Sequence, residues 1–479
     1  MANGKPRVRY YLVFALAVVV ALAATGVWNP FPTMWDWVNR SQPLSKPDVA
    51  WQQRVGGTPK SVTIAGNAVV VEHRTSVEAL NLSSGVRLWD RKADWSAVAG
   101  DARDPVVAVG KLLVRGYEVL DPATGAVRRK DTEAVAVWTY RNALLDVRCS
   151  DPKDCTLTAW DPRGTTPRWS TDIPGVGFVL FADNPDVLGT RELTADGVDP
   201  GAGGPEPMPA LIGFPIDGRV HVVDTATGRV VQRLEPDRRD RLVVVGGRVL
   251  KITARSEDGT CYFNVEAHDP NTGQRIWQRA GINLRTADGA GCVQREDPQG
   301  GLNVIVGIAP DARETVIDAY DGRYLWVGTQ GERLRAVDDH YALVRAADGR
   351  SVTGHRLSVD GPRWDRPVHP DAEMALARFA AIVVDSDPDR VIALDPATGR
   401  ELVNLRTTAK VLAVGPAGMI IGEGRDIGYV PFNGSAPDQP GGGGPPPGGN
   451  GNPGGNGDGS GSCGGAKEPE CESSQPKDG

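Results

Sequence analysis

The sequence has few of the residues that carry metal or nucleophilic chemistry. It contains 6 histidines and 6 cysteines in 479 residues, and no Cys-x-x-Cys, His-Glu-x-x-His or Gly-x-Ser-x-Gly occurs. Zinc sites, zinc proteases and many serine hydrolases show such spacings. GEGRDIG at 422–428 is not a dinucleotide fingerprint, because its third glycine is misplaced and no helix follows. The sequence therefore predicts no catalytic residue, no metal ligand and no cofactor, and it leaves any cofactor-binding residue unknown.

A concentrated basic surface and long helical patterns are also missing. The net charge is −7, with arginine and aspartate interspersed, so no basic stripe for nucleic acid is present. The 59 glycines and 37 prolines suit a fold made mostly of turns. Since no long amphipathic helical pattern occurs in the body of the chain, we predict an all-β fold that does not bind nucleic acid.

One acidic run is a candidate for calcium. Asp385, Asp387 and Asp389 could offer oxygen ligands at alternate positions. The flanking runs AIVV and RVIAL instead indicate a solvated hairpin turn between the second and third strands of a repeat unit. We interpret the run as that hairpin and keep calcium as the alternative.

The sequence is rich in one repeated pattern. LDPATG occurs at 120–125 and again at 394–399. Degenerate copies begin with a lead Asn or Asp at Asn81, Asp121, Asp161, Asp224, Asp269, Asp318 and Asp395. A worn copy at 354–364 makes eight, and a Pro/Gly-rich insertion at 195–209 accounts for one long step. Two other steps between lead residues are 40, a period typical of propeller blades.

Each copy is interpreted as a β-hairpin. Alternating residues precede the turn, as in RVHVVD at 219–224, which indicates a strand with one buried face. The lead Asp can bond its own backbone two residues on, and the glycine tolerates positive φ. We assign these as turn residues rather than catalytic carboxylates: Asp121, Gly125, Asp224, Gly228, Asp269, Gly273, Asp318, Gly322, Asp395 and Gly399. Tryptophans eight residues after a lead residue suggest packing between neighbouring repeats: Trp89, Trp169, Trp277 and Trp326.

Four short strands per repeat predict a β-propeller of four-stranded antiparallel blades. Two apolar runs precede a turn, for example RLVVVGG at 241–247 and RVLKITA at 248–254. Segment 48–55 reads as a lone fourth strand, and 410–432 reads as three strands that lack a fourth. The first would complete the second and close the ring, which removes open edges. The literal count is nine blades, but nine is unusual for a propeller, so we predict eight and leave seven and nine open.

The N-terminal residues predict a membrane anchor. Residues 10–27 carry no charge, and eighteen residues at the helical rise span about 27 Å, just enough for a bilayer core. Lys5, Arg7 and Arg9 precede this run, so the N-terminus should stay cytoplasmic and the propeller should lie outside, on a single-pass cell-membrane protein. A cleaved signal peptide, with Ala21-Leu22-Ala23 as the cleavage motif, is the alternative. Both interpretations export the body of the chain.

These assignments divide the chain into five parts. They are a cytoplasmic stub (1–9), a transmembrane helix (10–27), a juxtamembrane linker (28–48), the propeller (49–432) and a disordered Gly/Pro-rich tail (433–479). The tail cannot bury enough apolar surface to order itself, and it is either an envelope tether or a tolerated terminus.

The even number of cysteines is consistent with export and disulfide bonding. Proximity in the sequence suggests Cys149 with Cys155, Cys261 with Cys292, and Cys463 with Cys471. Six cysteines allow fifteen pairings, so this pairing is a hypothesis, and six free buried thiols are the alternative.

Two of the repeats carry a family resemblance. ALDPATGRELV at 393–403 and AHDPNTGQRIW at 267–277 resemble the PQQ-like propeller repeat of quinoprotein alcohol dehydrogenases and of BamB-type outer-membrane assembly factors. The resemblance covers most of 49–432. Dehydrogenases of this kind stack their cofactor on a disulfide between adjacent cysteines, and no Cys-Cys occurs here. Their calcium-binding Glu–Asn–Asp set cannot be placed residue by residue either.

The resemblance to BamB-type proteins implies a scaffold in envelope assembly. Those proteins are usually lipid-anchored, whereas this chain has a predicted membrane helix. We therefore expect a non-enzymatic, membrane-anchored propeller that binds an envelope protein or peptide. The alternative is a propeller enzyme or small-ligand sensor that uses the central channel, with PQQ-dependent oxidation the least expected.

Overall fold

The computed structural model describes residues 49–151, 154–173, 187–216, 219–386 and 389–433. Within these ranges the regular structure is entirely β-strand and turn. No helix there has the length and apolar character needed to cross a bilayer. The predicted transmembrane helix 10–27, its flanks 1–9 and 28–48, and the Cys463–Cys471 pair lie outside the described residues.

The described strands form ten sheets, of which nine are the blades of a propeller, numbered here in chain order, and the tenth is a two-stranded hairpin. Blade 1 contains β2 (Ser61–Ala65), β3 (Ala68–Glu72), β4 (Val77–Asn81) and β5 (Arg87–Arg91). Blade 2 contains β6 (Trp95–Ala99), β7 (Val106–Gly110), β8 (Tyr117–Leu120) and β9 (Val127–Asp131). Blade 3 contains β10 (Ala134–Thr139), β11 (Leu144–Asp151), β12 (Asp154–Trp160) and β13 (Pro167–Asp172).

The middle blades are less regular. Blade 4 contains β14 (Leu211–Ile216), β15 (Arg219–Asp224) and β16 (Val230–Leu234). Blade 5 contains β17 (Arg241–Val245), β18 (Arg248–Glu257), β19 (Thr260–His268) and β20 (Arg275–Ala280). A separate hairpin, β21 (Thr286–Gly289) and β22 (Cys292–Arg295), precedes blade 6, which contains β23 (Val304–Ile308), β24 (Glu314–Asp318) and β25 (Tyr324–Val327).

The last blades are again four-stranded. Blade 7 contains β26 (Arg333–Val337), β27 (Tyr341–Arg345), β28 (Ser351–Arg356) and β29 (Pro362–Pro367). Blade 8 contains β30 (Glu373–Ala377), β31 (Ala380–Ser386), β32 (Asp389–Leu394) and β33 (Glu401–Leu405). Blade 9 contains β34 (Lys410–Gly415), β35 (Gly418–Glu423), β36 (Asp426–Pro431) and the N-terminal strand β1 (Trp51–Arg54).

Among the described strands, blades 4 and 6 have three each and lack the innermost one. A short extended segment occupies the position of the innermost strand in each of them. The Leu188 N–H donates to the Gly213 carbonyl at 2.9 Å, and the Leu188 carbonyl accepts from Val244 N–H at 2.6 Å. In the same way, Asn283 and Ile308 exchange main-chain hydrogen bonds of 3.0 and 2.9 Å. These segments satisfy inner-edge backbone groups that would otherwise be unpaired.

The ring closes because a strand from the N-terminal end of the described chain pairs with strands from its C-terminal end. β1 pairs antiparallel with β36, from Trp51 opposite Tyr429 to Arg54 opposite Asp426. The predicted closure, in which the N-terminal strand completes the last blade, is therefore confirmed. Closure pairs a strand edge that would otherwise be open to other chains.

The predicted number of blades was wrong. The described residues form nine blades, not eight, because each of the eight hairpin copies has its own sheet and the composite blade is a ninth. The literal count of nine from the sequence was correct. We predicted eight because propellers with nine blades are unusual.

Burial follows the position of a strand within its blade. In β3 every residue is buried, because a second strand is covered by neighbouring blades on both faces. The fourth strand β5 is exposed except for a half-buried Trp89. The apolar cores lie between blades: one cluster joins Val70 and Val77 of blade 1 to Val107 and Leu120 of blade 2. Each blade is therefore stabilised mainly by its neighbours in the ring.

Candidate functional site

The repeated turns are held by their lead residues. Asp121 Oδ1 accepts hydrogen bonds from the main-chain N–H groups of Ala123 and Thr124, both at 3.1 Å. The Gly125 N–H closes the turn on the Asp121 carbonyl at 2.8 Å, with φ of +68° at Gly125. Hydrogen bonding to Arg128, with smaller contributions from the turn, holds the pKa of Asp121 below its usual range. These contacts fix the carboxylate in a structural role.

The turn also receives a tryptophan from the preceding blade. The Trp89 Nε1–H of blade 1 donates to the Pro122 carbonyl at 2.8 Å, and the indole lies against Gly125, where an added Cβ would be 2.7 Å from the ring. Among the described residues the same indole-to-carbonyl bond joins Trp51 to Leu82, Trp89 to Pro122, Trp169 to Thr225, Trp277 to Ala319, and Trp364 to Pro396. In each of these five turns the glycine is therefore required by both its φ and the indole ring against it.

Four blades depart from this arrangement: blades 2, 4, 6 and 8 have Arg129, Gln232, Trp326 and Val403 at the position eight residues after the lead aspartate. Trp326 does not contact a turn in this way; it is 9% exposed, and its ring lies 6.1 Å from His355 in the core between blades 6 and 7. In blade 2, Arg129 occupies the tryptophan position, lies 4.1 Å from the Trp160 ring, and donates to the Gly164 carbonyl at 3.3 Å. Trp51 and Trp364 dock like the predicted set although they were not in it.

The two disulfides within the described residues are those expected from proximity. Cys149–Cys155 closes the β11–β12 hairpin, with a Cα–Cα distance of 4.0 Å. Cys261–Cys292 ties blade 5 to the β21–β22 hairpin at 5.7 Å.

The acidic run at 385–389 forms the hairpin that the sequence indicated. Asp385 lies in β31 and Asp389 begins β32, the second and third strands of blade 8. In the described part of the chain, no three His, Cys, Asp or Glu side chains come together as metal ligands. Asp387 lies outside the described residues, so calcium stays an alternative.

The insertion between Asp161 and Asp224 crosses the centre of the ring. We call residues 190–209 the channel insertion. It leaves blade 4 and bonds to blade 3, where Arg141 N–H donates to the Glu206 carbonyl at 2.7 Å. It reaches blade 9, where Val411 N–H donates to the Gly197 carbonyl at 2.8 Å. Val411 lies on the inner, free edge of β34, the first strand of blade 9, so these bonds place the insertion within the channel.

The insertion fills the channel with both backbone and apolar contacts. Val198 forms a parallel bridge with Val411 on the free edge of β34. Ala195 and Ala202 join the core cluster of blades 8 and 9, while Leu193 packs against the cluster of blades 6 and 7. The amino-acid sequence of the insertion shows little pattern, because Gly and Pro dominate the segment.

A cavity of about 470 Å³ remains beside the insertion. Its wall includes Trp138, Tyr140, Glu192, Glu206 and Gly301. A volume of this size is typical of small-molecule sites. A small ligand would fit in this part of the channel.

The cavity contains a pair of hydrogen-bonded carboxyl groups. Burial, followed by the hydrogen bond and charge of Glu206, raises the pKa of Glu192 to about 8. Burial also raises the pKa of Glu206. Both side chains remain accessible to solvent, although the channel wall displaces much of the water around them. The carboxyl with the raised pKa can donate a hydrogen bond while protonated, and an ionised neighbour can accept one, so the two together suit a polar ligand.

A second notable surface lies on the turn of blade 6. Tyr320 is 58% exposed, and the Arg248 guanidinium lies 3.8 Å from its ring centre. Tyr324 is 40% exposed, with the Arg279 guanidinium 5.1 Å from its ring. Arg279 also donates to the Gly322 carbonyl at 2.7 and 2.9 Å, which fixes it beside this turn. We call these four side chains the Tyr–Arg patch.

These observations define a closed propeller of PQQ-like repeats whose channel is filled by its own insertion. Residues 153–404, just over half of the chain, match the family described as Outer membrane protein assembly factor BamB. The chain therefore belongs to this family. A search of the curated proteins finds no match.

Three solved structures illustrate what the chain is similar to. BamB from Moraxella catarrhalis is 14% identical, with 80% of this chain and 99% of that chain covered and a TM-score of 0.36. The quinohemoprotein alcohol dehydrogenase ADHIIG from Pseudomonas putida HK5 is 11% identical, with 81% and 76% covered and a TM-score of 0.36. The computationally designed Ika8 protein is 15% identical, with 79% and 98% covered and a TM-score of 0.38. At these TM-scores the superpositions carry no functional argument.

Proposed function

We propose that this protein is a membrane-anchored, extracytoplasmic scaffold that binds another protein of the bacterial cell envelope. The observation that carries the proposal is the match of residues 153–404 to the family described as an outer membrane protein assembly factor. A closed ring of blades offers a rigid platform, which suits partner binding. The disulfides Cys149–Cys155 and Cys261–Cys292 support an oxidising compartment. In this proposal residues 10–27 supply the anchor.

The filled channel favours binding on the outside of the ring. The channel insertion covers the free edge of β34 and contacts several blades, so a macromolecular partner has the faces and the rim to use. The Tyr–Arg patch is the best candidate contact, because tyrosine and arginine dominate binding hot spots. Stacking by Arg248 and Arg279 restricts the rings before binding, which lowers the entropy cost of ordering them.

Cross-linking in intact cells tests the proposal. A tagged full-length chain is cross-linked and recovered, and its partners are identified by mass spectrometry. We expect to recover one envelope protein in near-stoichiometric amount. In the reciprocal experiment, with the tag on that partner, this chain should be recovered. Recovery of the chain alone would contradict the scaffold.

A matched pair of variants locates the contact. Tyr320→Ala should lower recovery of that partner about tenfold, the effect of losing one hot-spot side chain. Tyr262→Ala is the control, since Tyr262 is 46% exposed and lies 5.5 Å from the Arg255 guanidinium on another strand. Equal recovery with both variants would remove the Tyr–Arg patch from the proposal.

The channel cavity supports a second candidate, a small-ligand sensor or an enzyme. The observation that favours it is the carboxyl pair Glu192 and Glu206 inside a cavity of about 470 Å³. Thermal-shift screening of the protein with PQQ, calcium and cell-wall fragments tests it. A stabilising ligand whose effect disappears in Glu192→Gln would favour this candidate, and no shift with any probe would count against it.

A further inference from the structure

The hairpin between β7 and β8 ends in an exposed aliphatic tip. We call residues 111–115, Lys-Leu-Leu-Val-Arg, the apolar tip. Leu112 is 48% exposed, Leu113 is 85% exposed and Val114 is 54% exposed. Single exposed apolar residues are ordinary on protein surfaces, but three in succession at a protruding turn mark a contact surface.

The main chain holds these side chains outward. Leu113 has a φ of +61°, a conformation that aliphatic residues rarely adopt. Asp94 Oδ2 accepts from the Leu112 N–H at 2.9 Å, and Arg115 donates to the Cys149 carbonyl at 3.2 Å. The tip is thus braced against the Cys149–Cys155 hairpin of blade 3 and does not fold back onto its own blade. Nothing in the described structure gives Leu113 a packing partner that explains its backbone.

The chemistry of the tip fits a lipid surface. Lys111 and Arg115 flank the three aliphatic residues, and the tip contains no acidic residue. Aliphatic side chains between cations suit the boundary of a bilayer, where the apolar groups enter the acyl region and the cations lie at the lipid phosphates. The tip is convex and lacks the aromatic anchors typical of protein hot spots.

The chain itself is predicted to bring a membrane within reach. The tip and the LDPATG turn of blade 2 lie at opposite ends of β8, so the tip is on the face opposite the turns. The chain enters on the turn face, where Trp51 bonds to Leu82. The faces are about 20 Å apart, from strands of roughly six residues. The predicted linker 28–48 has 21 residues and, as a flexible chain, spans about 25 Å.

We propose that the apolar tip inserts into the headgroup region of an anionic bilayer and so sets which face of the propeller rests on the membrane. The turn face, with the Tyr–Arg patch, then points away from the bilayer toward a protein partner. This inference rests on the anchor in the proposed function, because the anchor supplies the nearby membrane.

A cleavable full-length chain separates the tip from the anchor. A protease site is placed within residues 28–48, and the protein is reconstituted into phosphatidylcholine vesicles with about 30% phosphatidylglycerol. After cleavage, the fraction of propeller that stays with the floated vesicles is measured. Leu113→Asp is the test variant, since aspartate tolerates positive φ, and Leu113→Gly removes the side chain without backbone strain. Val359→Asp is the control, a residue 42% exposed on the turn face.

We expect the cleaved wild-type propeller to stay with the anionic vesicles. Leu113→Asp and Leu113→Gly should lower its partition coefficient at least about tenfold, while Val359→Asp should leave it unchanged. Equal release of the wild-type and Leu113→Asp propellers would overturn the proposal. Complete release of the wild-type propeller would also overturn it, and the binding partner of the tip would then be a protein. Loss of the uncleaved chain from the vesicles would instead refute the predicted membrane anchor. Binding by the tip is then measured by adding the cleaved propeller to fresh vesicles.

Discussion

Alanine at Gly228 should destabilise the protein much more than alanine at Gly273, although the two glycines hold equivalent positions in their turns. Their φ angles are +74° and +70°. At Gly228 an added Cβ would lie 2.5 Å from the Trp169 ring, whereas at Gly273 it would meet nothing within 4 Å. The preceding blade has Gln232 where others have tryptophan, which explains the open space at Gly273. The pair therefore separates backbone strain from docking of the indole.

The expected costs follow from these two contributions. A non-glycine residue in the left-handed region costs about 1–2 kcal/mol, and this applies to both variants. Overpacking against a fixed ring adds about 1–3 kcal/mol. Gly228→Ala should therefore lower the free energy of unfolding by about 2–5 kcal/mol, and Gly273→Ala by about 1–2 kcal/mol.

Urea unfolding of both variants, followed by tryptophan fluorescence, gives the comparison. In a Trp169→Ala background the cost of Gly228→Ala should fall to that of Gly273→Ala, because the clash has been removed. Two results would refute the interpretation that the repeated turn binds the indole of the preceding blade. One is an equal loss of unfolding free energy for both variants in the wild-type background, and the other is an unchanged loss for Gly228→Ala in the absence of Trp169.

Three further predictions concern charge, disulfides and a buried acid. Stability should decline as pH rises from 4.5, the ordinary pKa of glutamate, to about 8, because the folded state raises the pKa of Glu192 to about 8 and favours its protonated form. The measurement is the unfolding midpoint as a function of pH, and Glu192→Gln should make that dependence weaker. An unchanged pH dependence would argue against the raised pKa of the carboxyl pair. Cys292→Ser opens a disulfide of sequence separation 31 and Cys155→Ser one of 6, so chain entropy predicts losses of about 4 and about 2 kcal/mol in urea unfolding, and the reverse order would contradict it. Asp146→Ala should cost about 2–4 kcal/mol, because it leaves the Tyr117 hydroxyl without its acceptor at 2.7 Å. Asp146→Asn keeps an acceptor and should cost less, so equal losses in the same assay would remove this hydrogen bond from the explanation.

The features that sequence reasoning recovered are those encoded locally. The lead aspartate, the glycine four residues later and the alternating strand lie within one hairpin, so Asp121 and Gly125 suffice to indicate the turn. Ring closure was predictable because 48–55 and 410–432 were incomplete in complementary ways. The disulfide pairs within the described residues joined close neighbours in the chain.

The remaining features depend on contacts across the ring. The number of blades is not one of these, since the repeats count to nine and the estimate of eight was one too few only because the commoner ring size was preferred. The channel insertion bonds Gly197 to Val411 over a separation that its Gly/Pro-rich sequence does not signal. The raised pKa values of Glu192 and Glu206 arise only once the insertion has brought the two carboxyl groups together in the channel. Trp326 has the expected sequence spacing but lies in the core between blades 6 and 7 instead of against a turn.

The most direct test of the central claim is site-specific photo-cross-linking of the full-length protein in cells from two positions. One is Tyr320 in the Tyr–Arg patch, and the other is Pro200 in the channel insertion. If the protein binds its partner outside a filled channel, the probe at Tyr320 should capture one envelope protein reproducibly, and the probe at Pro200 should yield cross-links within the chain itself. Capture of a partner from Pro200 and none from Tyr320 would contradict the account, because it would place binding in the channel.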